Sequence, residues 1–200
     1  LLAVIQHDVR RLDRLISDIS DASRLDAELA RSEADPVDIA RLVETVCGLA
    51  NEVRKPHEAE IRISTPAARD ARDACLVNGQ DSRLGQVLTN LIENARSFSP
   101  PGATVRVSLQ CKDKNVEIAV EDDGPGVPDH ALERIFERFY TDRPDQGFGQ
   151  NSGLGLSISR QIVEAHGGRI WAENRLGPPD ADGAPTRIGA RFVARLPAAA

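Results

Sequence analysis

The sequence predicts an α/β chain in which strands and helices interleave behind one long amphipathic helix, and three observations carry that prediction. Apolar residues recur at steps of three and four over Leu2 to Leu25, Asp81 to Asn94 and Leu154 to His166, the repeat of helices that bury one face. Thr104 to Cys111 and Asn115 to Asp122 alternate apolar and polar residues, the repeat of strands with one buried face. Three segments rich in Asn, Asp and Gly stand in or beside these elements: NLIENARSFSP at Asn90 to Pro100, DDGPGVP at Asp122 to Pro128 and SGLGLSISRQIVEAHGG at Ser152 to Gly168. Together they have the chemistry of a nucleotide pocket, with amides for a metal, a carboxylate for a base and glycines that let backbone N–H groups reach phosphates.

Length and charge set the outer bounds. A chain of 200 residues fits one sizeable core with an appendage. Lys and Arg number 25 against 31 for Asp and Glu, and the resulting net charge of −6 argues against broad binding of nucleic acid through its phosphates. No apolar run approaches the ~20 residues of a membrane span, and no signal peptide pattern is visible. With no Met and an opening on LLAVIQHDVR, the sequence reads as part of a longer protein whose membrane anchor, if it has one, lies upstream. Cys47, Cys75 and Cys111 are isolated and read as small core residues of a reducing compartment. The scattered His7, His57, His130 and His166 have no zinc-site spacing.

Taken in order, the first element is the helix of Leu2 to Leu25, with Ile5, Val9, Leu12, Ile16 and Ile19 as its seam and Arg10, Arg11, Asp13 and Arg14 on its solvated side. The pattern fades in ELARSEADP, and the domain boundary falls there: residues 1–34 form one unit, 35–197 a second and 198–200 a tail. Asp35-Pro36 reads as a cap and first-turn proline of a helix over Val37 to Asn51. Glu60 to Ser64 and Cys75 to Val77 read as strands, and Asp81 as the cap of the helix that buries Leu84, Val87, Leu88, Leu91 and Ile92. KDK joins the next two strands into a hairpin. Glu133 to Tyr140 reads as a short helix and TDRPDQGFGQNS as a loop. The helix of Leu154 to His166 stops at Gly167-Gly168, and Arg169 to Glu173 and Ala190 to Leu196 are the last strands.

Four candidate groups carry chemistry. Asn90 and Asn94 are one helical turn apart and share a face away from the apolar one, where amide oxygens suit Mg²⁺. Asp123 can accept a hydrogen bond from an exocyclic amine, which favours adenine over guanine, and Gly124 and Gly126 let the backbone approach the base. Gly153 and Gly155 place flexible backbone at the positive end of a helix, where a triphosphate could sit. No Gly-Lys-Ser/Thr follows, so this is not a Walker loop.

In this order and separation, NLIENA resembles the N box, DDGPG the first glycine box, ERIFERFY the F box and SGLGLSISRQIVEAHGG the second glycine box of bacterial sensor histidine kinases. VRRLDRLISDISDASRLD is similar to the second helix of that family's dimerisation and phosphotransfer domain. The resemblance implies a two-layer α/β sandwich of the GHKL, or Bergerat, type, its mixed sheet covered by helices and preceded by a dimerisation-type helix. It implies ATP and Mg²⁺ as cofactors, with Asn94 on the metal, Asn90 in support, Asp123 on adenine, Gly124 and Gly126 shaping the base pocket, and Gly153, Leu154 and Gly155 beside the phosphates. Phe136, Phe139 and Tyr140 would pack the lid, Tyr140 close enough to touch nucleotide, while Gly189, Arg191 and Phe192 resemble the last glycine-containing motif. GFGQNSGLGLSISRQIVEAHGG is further similar to the ChvG-type envelope sensors of alphaproteobacteria.

The family's reaction passes the γ-phosphoryl group to a His on an upstream helix and then to an Asp of a response regulator. His7 mimics that His but has Leu12 where the motif has Pro, so the acceptor His is absent from this chain and no catalytic residue is assigned. The fragment is expected to bind ATP without phosphorylating itself, to be cytoplasmic, to dimerise through the upstream helical domain and to meet membrane only through upstream segments. Ser97, Thr141 and Ala190 depart from the family pattern, and Arg96 or Arg143 is the candidate substitute for a basic phosphate contact. The competing readings are an ATP-regulated interaction module without phosphotransfer, or another GHKL ATPase or serine kinase.

Overall fold

A computed structural model describes residues 35–64, 75–140, 153–179 and 183–199. The expected helix of Leu2 to Leu25, with His7, and the loop containing Thr141 and Arg143 lie outside the described residues. The elements run β1 (Asp35–Asp38), α1 (Ile39–Glu52), β2 (Glu60–Ser64), β3 (Leu76–Gly79), α2 (Asp81–Phe98), β4 (Thr104–Lys112) and β5 (Asn115–Glu121). Single 3-10 turns follow at Asp129–Ala131 and Arg134–Phe136, then α3 (Gly155–Ala165), β6 (Arg169–Pro179) and β7 (Pro185–Pro197).

Five strands form one mixed sheet in the order β2-β4-β5-β7-β6; β2 and β4 pair in parallel and the other neighbours are antiparallel. β1 and β3 make a separate antiparallel pair. The helices cover one face. Leu84, Val87, Leu88, Leu91 and Ile92 of α2 join Ile158, Ile162 and Val163 of α3, Ile39 and Val43 of α1, and Val105, Val107, Ile118 and Phe192 of the sheet in one buried cluster. Each such Leu or Ile contributes ~1.5–3 kcal/mol on leaving water, which makes this cluster the main support of the two-layer arrangement. Outward residues of the strands instead form an ion-pair ladder: Glu117 with Arg191 and Arg195, and Arg191 also with Glu121 and Glu173.

Four expectations are corrected. Asp35-Pro36 does not open α1 but lies in β1, where Pro36 faces Asn78; the helix is capped by Asp38, whose Oδ1 accepts the Arg41 N–H at 3.0 Å. Gln80 is the N-cap of α2, and Asp81 sits inside its first turn without capping it. Glu133 to Tyr140 is no α-helix: after Phe136 the chain extends, and Phe139 adopts φ 64°. Cys75 and Cys111 are joined as a disulfide, which ties the start of β3 to β4 across 36 residues of sequence. The free-thiol reading, and the compartment inferred from it, therefore keeps its premise only at Cys47, where burial pushes the thiol up to about 11. The strands β6 and β7 run longer than their alternation suggested, because Leu176 to Pro179 and Pro185 to Gly189 continue the ladder through register shifts.

Candidate nucleotide site

Two structures converge at the ends of α2, α3 and β5: a loop at Asp122 to Val127, and the facing surfaces of α2 and α3. The loop follows β5 directly and holds two adjacent carboxylates in opposite environments. Asp122 is 1% exposed, and its Oδ1 accepts the N–H of Gly124 at 2.8 Å and of Ala190 at 3.1 Å. Its Oδ2 accepts no hydrogen bond from the described residues. Burial raises its carboxyl above the ordinary range, and the two backbone N–H groups partly offset that rise.

Asp123 points to the arginines instead. Arg106 grips it with two N–H bonds at 2.8 and 3.2 Å, and Arg175 Nη1 adds a third at 2.7 Å. The Arg106 hydrogen bonds, with help from Arg175, hold its carboxyl below the ordinary range. Arg175 Nη1 also donates to the Asp122 carbonyl at 2.6 Å, so the same guanidinium fixes the loop's backbone. The sequence reading of Asp123 as the adenine contact thus meets a carboxylate already occupied by protein donors, beside one that retains a free oxygen.

The glycines of this loop stand where side chains would collide. A Cβ on Gly124 would come within 2.7 Å of the Phe98 carbonyl. Gly126 takes φ 74°, and a Cβ there would lie 2.7 Å from Asn174 Oδ1. That amide acts as a substitute strand: Asn174 Oδ1 accepts the Val127 N–H and Asn174 Nδ2 donates to the Val127 carbonyl, both at 2.7 Å.

Across the site, Asn90 and Asn94 are half-buried on one face of α2. Asn90 Nδ2 donates to the Gly155 carbonyl at 3.1 Å and to Ser159 Oγ at 3.3 Å. Its Oδ1, and the whole Asn94 carboxamide, take no hydrogen bond from the described residues. Neutral amide oxygens one turn apart, free of protein donors, fit a hard divalent cation that takes its other ligands from phosphate and water. Among the described residues no three His, Cys, Asp or Glu gather as an alternative.

Gly153 and Leu154 lead into α3, which takes no side-chain cap from the described residues, so the positive helix end presents backbone N–H groups from Gly155 onward. Gly153 has φ 70°, and its carbonyl accepts the Phe139 N–H at 3.0 Å. The two ends of the intervening segment thereby meet beside α3. Leu154 is buried, Tyr140 half-buried under the Arg134 guanidinium at 5.0 Å, and Phe136 is in the core. Arg96, a candidate phosphate contact, is committed elsewhere: it donates to the Ala59 and Ala50 carbonyls and to Asn51 Oδ1 at 2.9–3.2 Å, bracing α1 and β2.

Sequence reasoning gave no role to Asp122, Ser159, Asn174 or Arg175, which the structure sets in or against the loop and the amide pair. Asp122 was visible, because DDGPG contains Asp-x-Gly-x-Gly only when counted from Asp122. The others are long-range partners with no local signal.

A carboxylate with a free oxygen, close-packed glycines, an amide pair and an uncapped helix end, all on a mixed sheet covered by helices, define an ATPase domain of the GHKL class. The chain belongs to the family of histidine kinase-, DNA gyrase B- and HSP90-like ATPases, which it matches over residues 79–200. It is similar to Sensor protein ChvG of Agrobacterium fabrum, at 52% identity over 202 aligned residues that include 100% of this chain and 33% of that protein. The chain therefore spans about a third of that relative's length. Among solved structures it is similar to full-length ShkA in complex with AMPPNP, with TM-score 0.68 and 26% identity, covering 94% of this chain and 37% of that one. It is similar also to histidine kinase ThkA in complex with the response regulator TrrA, with TM-score 0.70 and 25% identity, covering 98% of this chain and 50% of that one.

Proposed function

We propose that this chain is the ATP-binding catalytic region of a two-component sensor histidine kinase, and that Asp122, in place of Asp123, reads adenine. The observation that carries the adenine assignment is that Oδ2 of the buried Asp122 takes no hydrogen bond from the described residues, while Oδ1 of the same carboxylate accepts two backbone N–H groups. A carboxylate oxygen accepts from the exocyclic amine of adenine and repels the carbonyl that guanine presents there. Asn94 and Asn90 would hold Mg²⁺ through their side-chain oxygens, and the cation would neutralise phosphate charge. Backbone at Gly153, Leu154 and Gly155 would lie beside the phosphates, with Tyr140 close enough to touch nucleotide.

The reaction transfers the γ-phosphoryl group to an imidazole nitrogen of a His on another helix, releasing ADP, and then to a response-regulator Asp. Residues 1–34 belong to a dimerisation and phosphotransfer unit and 35–197 to the catalytic domain. Support comes from the similarity to Sensor protein ChvG and to histidine kinase ThkA, solved in complex with a response regulator. No helix among the described residues is long and apolar enough to cross a membrane; the proposal places this region in the cytoplasm, joined to membrane and dimer partner through upstream segments.

The test is nucleotide affinity of three chains, wild type, Asp122→Asn and Asp123→Asn, for AMPPNP and its guanine counterpart. Asp122→Asn is expected to lose on the order of 10-fold or more for the adenine nucleotide, the cost of a charged hydrogen bond. Asp123→Asn should lose little. The reverse order would restore the assignment to Asp123. Incubating the longer protein with γ-labelled ATP then separates kinase from interaction module, since acid-labile phosphate on His is expected only of the kinase.

A further inference from the structure

Ser159 is fully buried in the middle of α3, a place where Ala would form helix more readily and where a hydroxyl is costly unless it is bonded. Its Oγ donates to the Gly155 carbonyl at 2.8 Å, which commits its proton to the helix. The lone pairs left over face Asn90, whose Nδ2 donates to Ser159 Oγ at 3.3 Å and to the same Gly155 carbonyl at 3.1 Å. Two acceptors on α3 thus meet the donor end of one carboxamide. A carboxamide has one end that donates and one that accepts. With Nδ2 bonded to α3, Oδ1 lies alongside Gly155 and takes no hydrogen bond from the described residues. Rotated by half a turn, the amide would set its oxygen against the Gly155 carbonyl and aim two N–H donors where a cation is to sit.

We propose that Ser159 is a positioning residue, which holds the Asn90 carboxamide with its oxygen toward the divalent cation of the bound nucleotide and so sets the Mg²⁺ dependence of nucleotide binding. This rests on the reading of Asn90 and Asn94 as the metal site. Partners that orient a ligand, without touching the metal, commonly change metal affinity 10- to 100-fold; a single neutral hydroxyl acting beside a second acceptor belongs at the low end of that range.

AMPPNP binding to the 200-residue chain, measured calorimetrically in Mg²⁺ and in EDTA, gives the Mg²⁺-dependent gain in affinity directly. Ser159→Ala is expected to cut that gain by roughly 10-fold while leaving affinity in EDTA at the wild-type value. Asn90→Ala should cut the gain at least as far, and the double variant no further than Asn90→Ala alone, because Ser159 acts only through Asn90. Ser159→Cys keeps nearly the same volume with a weak acceptor and should repeat the loss if the Ala variant fails to fold. Equal weakening with and without Mg²⁺, or no weakening, would make Ser159 a packing residue and overturn the proposal. Retention of the full gain in Asn90→Ala would remove the metal reading itself. Loss in Asn90→Ala with none in either Ser159 variant would remove only the role given to Ser159.

Discussion

The loop from Asp122 to Val127 is bound to β6 and β7 by backbone N–H groups, by both ends of the Asn174 amide and by the Arg175 guanidinium. Among the described residues, the amide pair of α2 is bonded from α3 only at Asn90 Nδ2. The loop is held by the protein's own groups, whereas Asn90 Oδ1 and the Asn94 carboxamide take no hydrogen bond from the described residues. The difference follows from what each must meet. A planar base is selected by shape and one hydrogen bond, which rewards a rigid frame, whereas a hydrated cation completes its own shell with water and phosphate.

The largest effect should come from breaking the rigid wall at its tightest point. Gly189 takes φ 151° on β7, and a Cβ there would overlap the Asp122 carbonyl and press on Arg175 Nη1. Gly189→Ala is therefore expected to cost about 3 kcal/mol of stability, from backbone strain and lost loop bonds together, read by urea unfolding, and to abolish nucleotide binding. Next comes Arg96, which separates bracing from phosphate contact. Arg96→Met leaves two carbonyls and Asn51 Oδ1 short of a donor and should cost about 2 kcal/mol, while AMPPNP affinity of the folded fraction stays near wild type. A selective loss of affinity without a loss of stability would return Arg96 to the phosphates. Asn174→Ala is smaller, about 1–2 kcal/mol for its two short bonds to Val127, and should weaken adenine binding without changing the Mg²⁺-dependent gain.

These residues show what could be read in advance. Periodicity located α2, α3 and the β4–β5 hairpin, because each buries one face and the pattern of burial is written locally. Asn90, Asn94 and the glycines fall in the boxes, and the structure sets them on α2, in the loop after β5 and at the start of α3. What the pattern leaves open is the choice between neighbours. Asp122 and Asp123 are chemically identical in sequence; strand alternation alone sends one inward and the other to the arginines, and Arg106 and Arg175 lie 17 and 52 residues away. Arg96 looked free because its acceptors are backbone carbonyls, which no side-chain pattern reveals. Asp35-Pro36 looked like a helix start because a proline is tolerated both there and at the margin of a short strand.

The smallest effect is the one that separates the two aspartates by sign. Asp123 is charged at lower pH in the folded chain than in the unfolded one, so its contribution is complete above about pH 5 and is lost as pH falls below about 4. Asp123→Asn should remove that loss, with the two unfolding curves differing by no more than about 1 kcal/mol at neutral pH, as befits a partly exposed pair, and converging in acid. Asp122 works the other way. Its carboxyl is raised by burial, so its share of stability is present in acid and is lost as pH rises through the raised value. Asn at 122 mimics the protonated form and can still accept from Gly124 and Ala190 through its oxygen. Asp122→Asn should consequently gain stability over wild type as pH rises toward neutrality, in the same variant that loses adenine. A frame made slightly unstable by an ionised carboxylate, and relieved when that carboxylate is removed, is what a group retained for ligand recognition predicts. If Asp122→Asn were destabilised at neutral pH, Asp122 would be a structural brace and the free oxygen would need another explanation.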